Sequence, residues 1–252
     1  MAIPDDNIII EGMTSVSALI NAVNSGVNDR KIIHIYISES VVGKKSREIG
    51  FLRTNSHNLS YEISVVPPER LDEMSAGNTH GGIVAVCSGR SFPAVNSASL
   101  PVDGIFALLD GIEDPFNFAY TVRSLYAAGF SGIVLSPRNW TSAAGTVIKS
   151  SAGTSELIPT YVDDPVVATA AFRAAGYRIV CAGIRDSVSL FEADLRAPLL
   201  LIIGGEKRGI SRSLLALSDM TVRIDYGRPF MGSLTTASSA AVIAFEIMRQ
   251  NR

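Results

Sequence analysis

The stretch LLLIIGGEKRGIS, residues 199–211, places two glycines, an acid, two bases and a third glycine directly after five apolar residues. Consecutive Leu and Ile without polar alternation predict a strand covered on both faces, as in a parallel sheet. Gly204 and Gly205 at its carboxyl end would let a ligand approach the backbone, and ligands of open α/β sheets bind at that end. The spacing fits neither common phosphate-binding turn: G-x-G-x-x-G is absent, and Gly204 and Gly209 have the P-loop interval with Ile210 where Lys is required. The turn either holds a neutral or cationic small ligand through backbone groups or is only a tight turn. A second cluster, LLDGIEDPFNFAYTVRSLYAAGF, sets Asp114-Pro115 at a helix entrance, where Pro is favoured, with Asn117 next and Arg123 six residues later. If the helix starts only after Asn117, both side chains can face the strand ends; otherwise Arg123 reads as a surface or interface ion-pair residue.

These residues need a scaffold, and the chain supplies one. With 252 residues, 47 % of them apolar, it can bury one large α/β domain or two smaller ones. Residues 8–86 read as a small α/β unit: strand IIIEG, helical VSALINAV, strand IIHIYIS, a charged helix near 43–55, then YEISVV and GIVAVCS. The Ser-, Pro- and Gly-rich stretch 88–104 has linker composition, which sets a boundary near 95 and predicts domains 1–95 and 96–252. Beyond it, GIFALLD, SGIVLS, GYRIVCAG and LLLIIGG alternate with helical windows near 116–128, 141–151 and 165–175. That alternation predicts a mostly parallel sheet with helices on both faces, closed by a C-terminal helix within SLTTASSAAVIAFEIMRQ.

A net charge of −2 argues against a wholly basic nucleic-acid binder. Yet Arg30 to Arg53 holds six positive residues against two negative ones, either a basic patch or a solvated face. The opening MAIPDDN lacks a basic-plus-apolar leader, and no run approaches the roughly 18 apolar residues of a membrane helix. The reading is a cytoplasmic protein without a membrane partner. Cys87 and Cys181 sit in apolar strand-like text without metal-site or redox spacing, so both read as buried, reduced thiols.

Taken together, three segments resemble the SpoU (TrmH) branch of the SPOUT RNA methyltransferases. NFAYTVR, 117–123, is similar to its first motif, an Asn with an Arg six residues on; LIIGGEKRGIS is similar to its second, a strand ending in Gly-x-Glu. VRIDYGRPFMGSLTTASSAAVIAFE is similar to its third, an Ile strand, a Pro-Met-type loop and a Ser-Leu-led helix. KSSAGTSELIP, 149–159, resembles the family's Ser-Ala-Gly segment, and IIIEGMTSVSALI with NTHGGIVA resembles its L30e-like RNA-binding domain.

The resemblance implies methyl transfer from S-adenosylmethionine (AdoMet) to an RNA ribose 2′-hydroxyl, by a homodimer with a trefoil knot in its C-terminal domain. Ribosomal RNA is the first choice of substrate and transfer RNA the second. Arg123 matches the catalytic arginine; Asn117, Glu206 and Ser233 match residues that shape the site. The donor would lie on Ala182, Gly183, Gly204, Gly205, Ile224, Met231 and Leu234, with Glu206, Ser233 and Thr235 beside it, and would need no metal. Lys44, Lys45, Arg47, Arg53 and Arg123 would contact RNA. His80 matches a His-x-Gly, with turn capping as the alternative to an RNA contact. The chain departs from the pattern at Ala119, where the family has Gly, and at Thr235, where it has Asn. The Thr235 departure keeps open a second reading, a non-catalytic AdoMet- or RNA-binding protein that retains the fold.

Overall fold

The computed structural model describes residues 7–75, 79–137 and 143–252. Residues 1–6, on which the expectation of no leader rests, lie outside these. The chain divides into two compact units, 1–91 with 139–157, and 92–138 with 158–252.

The first unit contains β1 (Ile8–Glu11), β2 (Ile32–Ser38), β3 (Glu62–Val66) and β4 (Ile83–Cys87), in the order β1-β4-β2-β3. β4 runs antiparallel to both neighbours, while β2 and β3 are parallel. Helices Met13–Asn24 and Ser46–Leu59 bury Leu19 and Leu52 against Ile10, Ile35 and Ile83. The charged helix expected near 43–55 thus begins later and ends later. Lys45 precedes it, with Nζ donating to the Gly81 carbonyl at 2.8 Å, and Ser60 ends it at φ 54°. His80 holds the adjoining turn: Nδ1 accepts from the Gly82 amide at 3.0 Å, which leaves Nε2 to donate to Asp72 Oδ1 at 2.9 Å.

Residues 143–157 belong to this unit, a grouping that no periodicity in the sequence announces. Helix Ala144–Ser150 packs on β1 and the turn of helix Thr154–Leu157 packs on helix Met13–Asn24; positions 141 and 142 of the expected 141–151 window lie outside the described residues. Gly153, at φ +81°, is needed here, because a Cβ would stand 2.4 Å from Ala18 Cβ. Arg30 requires a correction: it is not part of a basic patch. It is buried, and its Nε donates to Glu156 Oε2 at 2.7 Å while Asn28 Nδ2 donates to the same oxygen at 2.5 Å. A charge this far from water needs such partners.

The second unit holds β5 (Ile105–Asp110), β6 (Gly132–Leu135), β7 (Thr160–Val162), β8 (Arg178–Ala182), β9 (Val188–Ser189), β10 (Leu199–Gly204) and β11 (Met220–Arg223). Their order is β7-β6-β5-β10-β8-β11-β9, every pairing parallel. β10 lies in the interior with Leu199 to Ile203 all buried, as its unbroken apolar text predicts. Helix Pro165–Ala174, capped by the Asp164 carboxylate, contributes Phe172 to a core with Phe106, Tyr177, Leu200 and Ile202. Helix Thr236–Gln250 packs on helix Pro115–Ala127 and reaches β10. The sheet brings the carboxyl ends of β5, β10, β8 and β11 side by side, and the loops that follow them build the site.

Candidate active site at the carboxyl ends of the second sheet

β5 ends at Asp110, and Gly111 turns the chain at φ +78°. Asp114 then caps the next helix, its Oδ1 accepting the Asn117 amide at 2.7 Å, with Pro115 as the first helical residue. The helix therefore starts before Asn117, not after it, and the condition under which Asn117 and Arg123 would share one direction is not met. The two side chains part: six residues turn the helix by about 240°. Asn117 Nδ2 donates to Glu206 Oε1 at 2.6 Å, whereas Arg123 is exposed and makes no side-chain hydrogen bond among the described residues.

The glycine turn after β10 is closed on itself. The Gly209 amide donates to the Gly205 carbonyl at 2.9 Å, and the Gly205 amide to the Asp110 carbonyl at 2.8 Å. A Cβ on Gly205 would stand 2.0 Å from the Gly111 carbonyl oxygen, and one on Gly204 would stand 2.4 Å from the Gly209 carbonyl carbon. These glycines are fixed by backbone meeting backbone. The three residues at the tip then diverge. Glu206 takes Asn117, Lys207 Nζ pairs with Glu113 at 2.9 Å, and Arg208 lines a neighbouring pocket. Asp110 is a member that spacing alone did not single out. Its Oδ2 accepts the Ser211 amide at 3.0 Å and so anchors the far side of the turn; the signal was the Asp-Gly ending of an apolar strand.

Beside the turn lies a pocket of about 620 Å³ lined by Ala182, Gly183, Arg185, Arg208 and Gly209, among others. That volume is in the range of small-molecule sites, roughly 300–1,000 Å³. Gly183 packs closely on β11, since a Cβ there would stand 3.1 Å from Thr221 Cγ2. Beneath it Cys181 is fully buried; burial first, and the negative Asp110 less so, push its thiol up to about 11 despite a hydrogen bond with Ser218.

The third predicted segment is arranged differently. Ile224 follows β11 directly; Met231 and Ser233 are exposed; and the Leu234 amide donates to the Tyr226 hydroxyl at 3.2 Å. Thr235 is the N-cap of the last helix, its hydroxyl accepting the Ser238 amide at 3.2 Å. No described hydrogen bond joins Ser233 or Thr235 to the Asn117–Glu206 pair. In the first unit Lys44, Arg47 and Arg53 are exposed and Lys45 is half-buried.

The second unit is a parallel α/β domain with a candidate small-molecule pocket beside a glycine turn at its strand ends, and the chain carries it together with the smaller, first α/β unit. The chain belongs to the SpoU rRNA Methylase family, which matches residues 104–245, and residues 9–93 match the RNA 2′-O ribose methyltransferase substrate binding domain. It is 26 % identical to the 23S rRNA (guanosine-2′-O-)-methyltransferase RlmB of Shewanella oneidensis, over 97 % of this chain and 98 % of that protein. It is 25 % identical to the putative TrmH family tRNA/rRNA methyltransferase YacO of Bacillus subtilis, over 88 % and 90 %. Among solved structures, the SpoU methyltransferase AviRb of Streptomyces viridochromogenes in complex with AdoMet superposes with a TM-score of 0.79 at 24 % identity, covering 98 % of this chain and 92 % of that one.

Proposed function

We propose that this protein transfers a methyl group from AdoMet to a ribose 2′-hydroxyl of ribosomal RNA. The observation that carries the reading is the Asn117–Glu206 hydrogen bond, which joins the first two motifs of the family match at the mouth of the strand ends. Ala182, Gly183 and the backbone of the 204–209 turn would hold AdoMet, which supplies an activated methyl group. Ile224, Met231, Leu234 and Thr235 belong to the same proposed donor site.

A ribose hydroxyl is a weak nucleophile, so the residues must chiefly orient it; positioning can be worth effective molarities on the order of 10⁵–10⁸ M, against roughly 10²–10⁴-fold for a general base. The guanidinium of Arg123 presents five donors in a fixed fork, which suits it to clamp the phosphate beside the target ribose and to stabilise the developing oxyanion. Glu206, fixed by Asn117, and Ser233 would position the hydroxyl.

Arg123 shares an i, i+4, i+7 stripe with Phe116 and Tyr120, which are 50 % and 47 % exposed. Val242 and Phe245 are similarly exposed on the helix packed against it. This apolar stripe supports a homodimer whose sites lie near the shared helices. The trefoil knot of the C-terminal domain belongs to the same reading. The two units divide the labour: in the first, Lys44, Lys45, Arg47 and Arg53 would hold RNA by displacing counterions from its phosphates. Among the described residues no helix is long and apolar enough to cross a membrane; the cytoplasm is the proposed place of work because ribosomal RNA is the proposed substrate.

The test is transfer of labelled methyl from AdoMet to unmodified ribosomal RNA and, separately, transfer RNA, followed by mapping of alkali-resistant linkages. The reading expects label at a ribose 2′-oxygen of ribosomal RNA. Label confined to transfer RNA would replace the substrate, and label on a base would replace the reaction.

A further inference from the structure

The tip of the 204–209 turn carries three charged residues, and two of them are engaged: Glu206 by Asn117 and Lys207 by Glu113. Arg208 makes no ion pair or side-chain hydrogen bond among the described residues, and neither does Arg185, on the loop after β8. Both are exposed, and both line the pocket that contains Ala182 and Gly183. Of the two carboxylates on that pocket, Asp219 is occupied by Arg173 at 3.0 Å and by the Ile179 amide at 2.8 Å, so only Asp186 offsets them. Two forked guanidiniums from different loops therefore flank one opening, the geometry that suits bidentate contact with phosphate oxygens.

We infer that Arg185 and Arg208 grip backbone phosphates of the RNA strand next to the target nucleotide and hold its ribose over the pocket. This rests on the RNA-methyltransferase reading. Both are positioning residues; neither touches the transferred methyl. Their place differs from that of Lys44, Arg47 and Arg53, since those lie in the other unit, where they can capture RNA without aligning it.

The experiment compares wild type with Arg185→Ala, Arg208→Ala and the double variant. An unmodified 23S rRNA transcript is the RNA probe, and binding is measured across a series of salt concentrations. Each substitution is expected to lower the slope of log affinity against log salt by about 1, and the double variant to weaken RNA binding on the order of tenfold. AdoMet affinity by calorimetry and the melting curve should stay as in wild type. Arg208→Lys should restore the slope, because the charge returns, but not the full affinity, because the fork does not. Unchanged salt slopes would overturn the inference, as would a loss of AdoMet affinity, which would assign the arginines to the donor's carboxylate. The slopes read binding alone, so they decide this point even if wild type transfers no methyl group, a result that would count against the enzymatic reading instead.

Discussion

Asn117 Nδ2 and Glu206 Oε1 lie 2.6 Å apart, so the first turn of one helix and the tip of the glycine turn hold each other. Both side chains are solvent-accessible, and substitutions at such positions usually change stability by no more than about 0.5 kcal/mol. Asn117→Ala or Glu206→Ala should therefore leave the melting temperature nearly unchanged yet lower methyl transfer about 10²-fold, the order of loss that follows from misplacing a reacting group by about 1 Å. The double variant should be little worse than either single one, because the two act as a unit. Kinetics with matched melting curves check this.

Gly205→Ala is expected to do the opposite and damage the fold. Its Cβ would sit 2.0 Å from the Gly111 carbonyl oxygen, a backbone atom that cannot swing aside. Overpacking of this kind costs about 1–3 kcal/mol, and each kcal/mol lowers the melting temperature of a chain this size by roughly 2–4 °C. Calorimetric titration should show AdoMet binding weakened in the same variant, since the turn borders the pocket.

Thr235 separates capping from chemistry. Thr235→Ala removes the acceptor of the Ser238 amide and should cost about 1 kcal/mol of stability. Thr235→Asn caps as well as threonine and should melt with wild type, while supplying the amide that the family pattern has at this place. A rise in methyl transfer in Thr235→Asn alone would assign the departure to catalysis; equal rates would assign it to the cap.

The buried pair Arg30–Glu156 makes a prediction about the first unit. Glu156→Ala leaves a guanidinium with 5 % side-chain exposure without its carboxylate, and breaking such a pair typically costs about 3–5 kcal/mol. Chemical denaturation should show that loss, where Glu11→Ala, at the Lys149 pair, should show less because Lys149 is 38 % exposed.

Cys87 and Cys181 are free and fully buried. Burial pushes their thiols up, to about 12 and about 11, so the folded state keeps both protonated where the unfolded chain would ionise them. Above an unfolded value near 9 the unfolded state binds fewer protons, and stability should fall as pH rises through the window from 9 to about 12. At pH 8 iodoacetamide should label neither cysteine until denaturant is added.

Much of this arrangement was legible in the sequence wherever an element was long and strongly patterned. LLLIIGG announced an interior parallel strand, and Asp114-Pro115 announced a helix start, because each depends on local chemistry. β7, β9 and β11 span four residues or fewer, too short for a period to register, and helix Pro68–Met74 went unread for the same reason. The burial of Arg30 depends on Glu156, 126 residues away, which no local pattern encodes. At the proposed site, the family resemblance pointed to Asn117, Glu206 and the glycines but could not give the direction of Arg123, since that turns on where the helix begins. The glycines illustrate the limit best: their necessity was visible, but its cause, the neighbouring backbone at Gly111 and Gly209, was not.

The central claim is methyl transfer at a ribose 2′-hydroxyl with Arg123 as the clamp. The direct measurement is single-turnover transfer of labelled methyl from AdoMet to unmodified ribosomal RNA, comparing wild type with Arg123→Ala at AdoMet concentrations that saturate both by calorimetry. The account predicts alkali-resistant label with wild type and loss of nearly all of it with Arg123→Ala, although AdoMet still binds. AdoMet bound by wild type with no label transferred would contradict it and leave a binding protein that has kept the fold.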